Sequence, residues 1–281
     1  MPFSLILATV GRVDDVRAFL ASLGDASQVR EVIVVDQNPD DRLEPVLAAF
    51  PQIPFVRLRM APGRSTLARN AGIPLAQGEI VAFPDDDCVY APGLLARVAA
   101  SLAALPAAGM VSALVASEVG TPSAGGRAPM QAGPVTRDNV FVTAREPGMF
   151  VARDVLERLG GFDPRFGLGT PFASGESADL ALRMLAAGVP AVFDPSLIVL
   201  HPDRRMSPSG IARAYGSGAG FGACLRHHRY SVVTVARYLV RPFGGMVLSA
   251  LRADRTGIAY YFQTLRGRWW GYTAWRHART R

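Results

Sequence analysis

Residues 79–87 read Glu-Ile-Val-Ala-Phe-Pro-Asp-Asp-Asp, and no other stretch limits the fold as tightly. Ile80, Val81, Ala82 and Phe83 form a short apolar run of the kind that makes a buried strand, and it stops at three consecutive carboxylates, Asp85, Asp86 and Asp87. Three adjacent anions repel one another, so a positive partner is expected. Hard oxygen donors at a strand end suit a divalent ion such as Mg2+ or Mn2+, which can also bridge substrate phosphates. Open α/β sheets bind ligands just beyond the carboxyl ends of their strands, which fits the position as well as the chemistry. An acidic turn in solvent is the alternative, and the flanking stretches argue against it.

Those stretches alternate strands with helices. Ser4 to Ala8 reads as a strand, and from Arg12 the residues Val13, Val16, Phe19, Leu20 and Leu23 recur at helical spacing. A second strand, Val32 to Val35, ends in Asp36, before a turn-prone Asn38-Pro39-Asp40-Asp41 and an apolar helix around Leu43 to Phe50. The strand Phe55 to Leu58 follows. Residues 63–72 then read as a glycine-led turn opening a short helix, with Ser65 or Thr66 as cap. This order predicts a mostly parallel, helix-covered sheet with ligands at its strand ends.

Thr9, Arg12, Asp36, Arg64, Arg69, Asp85 and Asp87 all fall at those ends or in the turns after them. A nucleoside diphosphate could use such a set: carboxylates for base and ribose, guanidinium groups for phosphates, and a metal for bridging oxygens. Solvated surface charge is the competing reading of Arg12 and Arg64. Asn70, flanked by small residues, reads as a hydrogen-bonding strut.

Charge divides the chain of 281 residues. The net charge is +7, yet residues 204–281 hold fourteen arginines against the single acid Asp254, a net +13, and residues 1–203 carry −6. Two regions with different partners are implied. The length and 49% apolar content suit one large α/β domain with an appendage. Cys88 and Cys224 lie far apart in no metal-ligand spacing, which fits a reducing compartment. The opening residues have no basic segment before a short apolar run and read as a first strand, so a cytoplasmic protein is expected, with the inner face of the cell membrane as an alternative placement.

Taken together, Ala8-Thr9 with Arg12, the Val-Ile-Val-Val-Asp strand reaching Asp36, the Gly-x-x-x-x-Ala-Arg-Asn-x-Gly segment at 63–72, and Phe83-Pro84-Asp85-Asp86-Asp87 resemble a family 2 glycosyltransferase of GT-A fold. The similarity continues through Gly160-Gly161-Phe162-Asp163 and the segment Gly175 to Arg183, covering about residues 3–203. It implies a GT-A domain with a Rossmann-like, mostly parallel central sheet over residues 1–203, its acceptor side roughly 117–203, followed by a helical extension over 204–281. It also implies inverting transfer of a sugar from a nucleotide diphosphate donor, a UDP-sugar being favoured, to a glycan, glycolipid or lipid-linked acceptor. Asp36 would contact the base, Asp85 the ribose and Asp87 the metal; Asp85 and His201 complete the metal set, and Asp86 joins the nucleotide contacts or replaces Asp87 as ligand.

The chain departs from the family at Glu176-Ser177, where relatives commonly carry Glu-Asp with the second acid as general base. Either Glu176 is the base, or Asp179 on the same helical face substitutes, or catalysis is lost and the protein only binds a nucleotide or glycan. The irregular stretch Ser117 to Pro147 falls on the acceptor side without disclosing the acceptor.

Beyond residue 204 the family motifs stop. Ser231 to Leu251 is apolar but interrupted by Arg237, Arg241, Pro242 and Gly244-Gly245, so an interfacial or core-packed helix is expected and not a spanning one. Tyr260, Tyr261, Phe262, Trp269, Trp270, Tyr272 and Trp275 alternate with Arg266, Arg268, Arg276 and Arg279. That surface suits an anionic membrane face or, alternatively, packing on the catalytic domain or in a homo-oligomer. Nucleic acid is not expected as a partner, because no nucleic-acid fold accompanies the arginines.

Overall fold

The structure, a computed structural model, describes residues 1–118, 121–122, 128–203 and 205–275. Two compact units compose the chain: Met1–Phe162 with Leu180–Pro202, and Asp163–Asp179 with Asp203–Arg281. The segment 163–179 thus belongs with the C-terminal residues.

The first unit holds β1 (Phe3–Thr9), α1 (Val13–Ser22), β2 (Val29–Asp36), α2 (Glu44–Ala48), β3 (Phe55–Arg59), α3 (Ser65–Gly72), β4 (Ile80–Ala82), β5 (Val89–Tyr90), α4 (Leu94–Ala104) and β6 (Met110–Glu118). It continues with β7 (Thr121–Pro122), β8 (Gly133–Pro134), α5 (Val140–Thr143), β9 (Met149–Ala152) and α6 (Arg153–Leu159). Helix α7 (Glu176–Ala186) begins in the second unit, and β10 (Ala191–Leu200) closes the first.

Among the described residues the strands form one sheet in the order β3-β2-β1-β4-β9-β6-β10-β5, with β7 on β6 and β8 on β10. Strands β1 to β4 are mutually parallel, β9 enters antiparallel between β4 and β6, and β10 runs parallel to β6. This is the GT-A fold, with its curled, mostly parallel central sheet. The apolar runs in β1 and β2 are buried on both faces, as a helix-covered parallel sheet requires. Val16, Phe19 and Leu20 of α1 pack on one face with Phe3, Leu5, Val32, Val34 and Phe150. Because β1, β2 and β4 run the same way, Thr9, Asp36 and the residues after Ala82 emerge along a single sheet edge, with Thr9 directly beside Asp36.

The expected strands and helices of residues 3–83 are present with boundaries shifted by a few residues. The cap is different: α3 starts at Ser65, and Arg64 occupies the N-cap position in extended conformation, without a side-chain hydrogen bond.

The second unit contains α8 (Pro208–His227), α9 (Val232–Leu251) and α10 (Arg255–Ala274), each opened by a polar cap: Ser207, Ser231 and Asp254 accept from the N–H groups of Gly210, Thr234 and Gly257. Asp254, the lone acid of residues 204–281, is therefore used as a cap. Helices α8 and α10 approach closely because glycines line the contact. A Cβ at Gly267 would overlap the carbonyl of Tyr215, and one at Gly271 that of Ala219.

Helix α9 buries Val235, Leu239, Pro242 and Ser249 on one side, while Val233, Val240 and Leu251 on the other are 80%, 63% and 81% exposed. Among the described residues no helix is long and apolar enough to cross a membrane. Arg276 and Arg279 lie outside the described residues.

Candidate functional site

The strand-end carboxylates are held in distinct ways. Arg69, buried in the last turn of α3, ion-pairs through Nη2 with Asp85 Oδ1 at 2.8 Å and through Nη1 with buried Glu146. Asp86 turns toward β1: it accepts from Thr9 Oγ1 at 2.8 Å and from Arg12 Nη1 at 3.1 Å. Arg12 also lies 2.6 Å from Asp87 Oδ2. From the far side of the sheet, the end of β10 is pinned when the His201 N–H donates to Ala116 O at 2.8 Å. That places His201 Nε2 3.2 Å from Asp87 Oδ1 and 3.4 Å from Asp85 Oδ2.

Asp85, Asp87 and His201 thus offer ligand atoms that all lie within 4.8 Å of one another. Two carboxylates and one imidazole suit Mg2+ or Mn2+ better than a soft ion, so the residues present fit the expected metal. Protonation reflects the crowding. Burial works against an ionised Asp87, yet hydrogen bonds from His201 and Arg12 hold its carboxyl well below the usual range. Burial also disfavours a charged His201, and Asp85 and Asp87 outweigh it, raising the imidazole to about 9. Asp86 is pushed up to about 6, chiefly by burial and with help from its two acidic neighbours, against Arg12 and Thr9.

Next along the same edge, Asp36 is fully buried at the end of β2. Its Oδ1 accepts from the Asn38 N–H at 2.9 Å and Nδ2 at 2.8 Å, and its Oδ2 from Arg57 Nη2 at 2.7 Å and Arg59 Nη1 at 3.1 Å. Neither arginine was anticipated as a partner. Their alternate spacing on β3, a strand parallel to β2 with Arg59 opposite Asp36, was the available signal. Glu146 was missed too, since it meets Arg69 across 77 residues of sequence. Arg64 is exposed. Asn70 is a strut as expected: its Nδ2 donates to Phe162 O at 2.7 Å and its Oδ1 accepts from the Phe162 N–H at 2.8 Å.

Cys88, directly after the carboxylates, is buried, and that burial pushes its thiol up, so it packs as an inert side chain.

In the second unit, Glu176 opens α7 and is largely buried. Asp179, one turn on, is fully buried, with Oδ1 2.8 Å from His228 Nε2 and 3.6 Å from His227 Nε2. Both histidines went unread in the sequence.

The family model for glycosyl transferase family 2 matches residues 4–153, more than half of the chain. The chain belongs to glycosyl transferase family 2. The chain is 25% identical over 100 residues to YwdF of Bacillus subtilis (strain 168), an uncharacterized glycosyltransferase; the match spans 35% of this chain and 37% of that one. Among solved structures it resembles the mannosyltransferase PcManGT from Pyrobaculum calidifontis, a complex with GDP-Man and Mn2+. The TM-score is 0.66 at 17% identity, covering 96% of this chain and 86% of that chain. It also resembles residues 1–349 of S. aureus TarS with UDP-GlcNAc, at TM-score 0.61 and 14% identity, covering 99% and 92%.

Proposed function

We propose that the protein is a metal-dependent inverting glycosyltransferase that moves a sugar from a nucleoside diphosphate donor, a UDP-sugar being favoured, to a glycan, glycolipid or lipid-linked acceptor. The convergence of Asp85, Asp87 and His201 at the edge that also carries Thr9, Arg12 and Asp36 carries this reading. PcManGT with GDP-Man and Mn2+, and TarS with UDP-GlcNAc and with UDP, support it by their ligands.

Asp85, Asp87 and His201 would hold the ion, whose charge offsets that developing on the leaving diphosphate. Asp36, kept ionised by Asn38 and Arg57 at the end of β2, would contact the base, and Asp86 with Thr9 would contribute to the nucleotide side. Arg12 and exposed Arg64 supply guanidinium groups for phosphate oxygens. In the transfer, the acceptor oxygen forms a bond to the anomeric carbon from the face opposite the leaving group. The carbon–oxygen bond to the diphosphate breaks with its electron pair on the diphosphate, and the acceptor proton passes to a carboxylate. We assign that role to Glu176, which sits next to the position relatives use for the base and has one more methylene with which to reach an acceptor hydroxyl.

The experiment is turnover of wild type and Glu176→Gln with a panel of nucleotide sugars and acceptors, the product anomer being read by NMR. The expected result is an inverted product and a rate loss of about a hundred- to ten-thousand-fold in the variant, with donor affinity unchanged. A retained anomer, or full turnover in Glu176→Gln with loss in Asp179→Asn, overturns the assignment. A wild type that binds donor yet transfers to nothing supports the binding-protein reading that Ser177 raises.

The acceptor and the C-terminal helices are linked in this proposal. The exposed apolar face of α9, set among arginines and only one acid in residues 204–281, fits an anionic bilayer at its cytoplasmic side, where a lipid-linked acceptor would be presented.

A further inference from the structure

Two consecutive residues of a regular helix point about 100° apart, yet His227 and His228 aim their Nε2 atoms at the same oxygen, Asp179 Oδ1. His227 is the last residue of α8, and His228 follows as its C-cap at φ −87° and ψ 12°. The rings meet edge to face with centroids 4.7 Å apart.

We propose that Asp179, His227 and His228 form a second cation site, one that takes a borderline transition ion of the Zn2+ or Co2+ kind and ties the first turn of α7 to the end of α8.

The separations are those of a ligand set. An ion about 2.0–2.1 Å from tetrahedral ligands keeps those ligands about 3.3 Å apart. Asp179 Oδ1 lies 2.8 Å from one Nε2 and 3.6 Å from the other, and all three ligand atoms fall within 4.8 Å. A simple hydrogen bond accounts for His228 but not for His227, whose nitrogen stands beyond hydrogen-bonding reach of that oxygen. The His227 ring is nevertheless fixed in this direction, edge to face with Trp275 at 5.0 Å and tilted against Phe166 at 6.2 Å.

The surroundings permit a cation. Arg165 is the nearby positive side chain, and it is neutralised by Asp163, with Nη2 and Nε 2.5 Å and 3.0 Å from Asp163 Oδ2, while its guanidinium stacks 4.5 Å over Trp275. The side chains of Asp179, His228 and His227 are 0%, 10% and 28% exposed, so the group is sheltered but reachable.

Donor chemistry separates this site from the first. Two imidazoles and one carboxylate favour Zn2+ or Co2+, whereas the two carboxylates and one imidazole of Asp85, Asp87 and His201 favour Mg2+ or Mn2+. Three protein ligands leave a coordination position open to water. Since Glu176 sits one turn before Asp179, such an ion would hold the turn that presents Glu176.

The test is equilibrium dialysis of the chelator-stripped full chain against Zn2+, with Co2+ absorption in the visible as a readout of ligand geometry. Four forms are compared: wild type, Asp87→Asn, His227→Phe and His228→Gln. His227→Phe keeps a ring against Trp275 and Phe166, and His228→Gln keeps a donor for Asp179, so both are expected to melt near wild type in chelator. One tightly held equivalent, present in wild type and Asp87→Asn and lost in His227→Phe and His228→Gln, is the expected result. It should come with a Zn2+-dependent rise in Tm that the two histidine variants lack. Equal Zn2+ uptake by wild type and His227→Phe overturns the proposal, as does an equivalent that disappears with Asp87→Asn alone. Should His228→Gln fail to fold, His227→Phe decides by itself.

Discussion

Asp36 shows how one buried carboxylate can be kept charged. Burial opposes its ionisation, but the Asn38 N–H and the Arg57 guanidinium overcome this and set it below the ordinary carboxylate value. A depressed folded-state value means that the unfolded chain binds the proton first. The stability Asp36 contributes is therefore complete above about pH 4 and is lost as pH falls through the folded value. Asp36→Asn should cost roughly 1–3 kcal/mol at neutral pH, because Arg57 loses its charged acceptor. Thermal melts of wild type and variant should converge as the pH is taken from 7 to 3; a gap that stays constant over that range would mean the carboxylate's charge is not what matters. At this scale the residue types and strand-end positions were legible in sequence, since an acid closing a β-branched run stands out. The partners were not: Arg57, Arg59 and Glu146 reach Asp36 and Arg69 only once strands are paired and loops returned.

Elements differ in how openly they announce themselves. Strands β1 and β2 are apolar runs of ordinary length, β4 is a three-residue apolar run ending before the carboxylates, and α1 has a clear apolar face, so local pattern suffices. Strands β5, β7 and β8 are two residues each and exist only by pairing with β10 or β6. Helix α8 is the opposite case, because Gly216, Gly218, Gly220 and Gly222 are poor helix formers, so local propensity does not account for it. For Gly218, Gly220 and Gly222 the use is tertiary, since only glycine admits the neighbouring backbone of Thr264, Ser174 and Arg268. Gly271→Val should therefore force α10 away from the Ala219 carbonyl and lower Tm by several degrees, while the Mn2+-dependent nucleotide binding proposed for residues of the first unit should survive below the new transition. A variant as stable as wild type would show that the α8–α10 contact is looser than described.

At the scale of the whole molecule, charge divides the sequence near residue 204, and the family motifs run on to about residue 203. The compact units are drawn differently, Met1–Phe162 with Leu180–Pro202 and Asp163–Asp179 with Asp203–Arg281. Sequence motifs track ancestry, whereas compact units track burial, and the two need not coincide. The arginine excess and the outward face of α9 lead to a prediction of vesicle binding. At low salt the protein should co-sediment with vesicles containing phosphatidylserine and not with neutral ones. Each basic residue near the surface adds about 1 kcal/mol, and Val240→Asp or Leu251→Asp should weaken binding. If vesicles are ignored and the protein sediments as a dimer that Leu251→Asp dissociates, the face belongs to a second copy.

Everything in the functional account depends on Asp85, Asp87 and His201 holding a divalent ion against a nucleoside diphosphate. Calorimetry of UDP and GDP binding, with Mn2+ and with chelator, for wild type, Asp87→Asn and His201→Ala, tests this most directly. Wild type should bind at least one of the two nucleotides, with binding that requires Mn2+, and both variants should lose most of that Mn2+-dependent affinity while melting near wild type in chelator. Nucleotide binding that is equally strong in chelator, or undiminished in Asp87→Asn, would contradict the account.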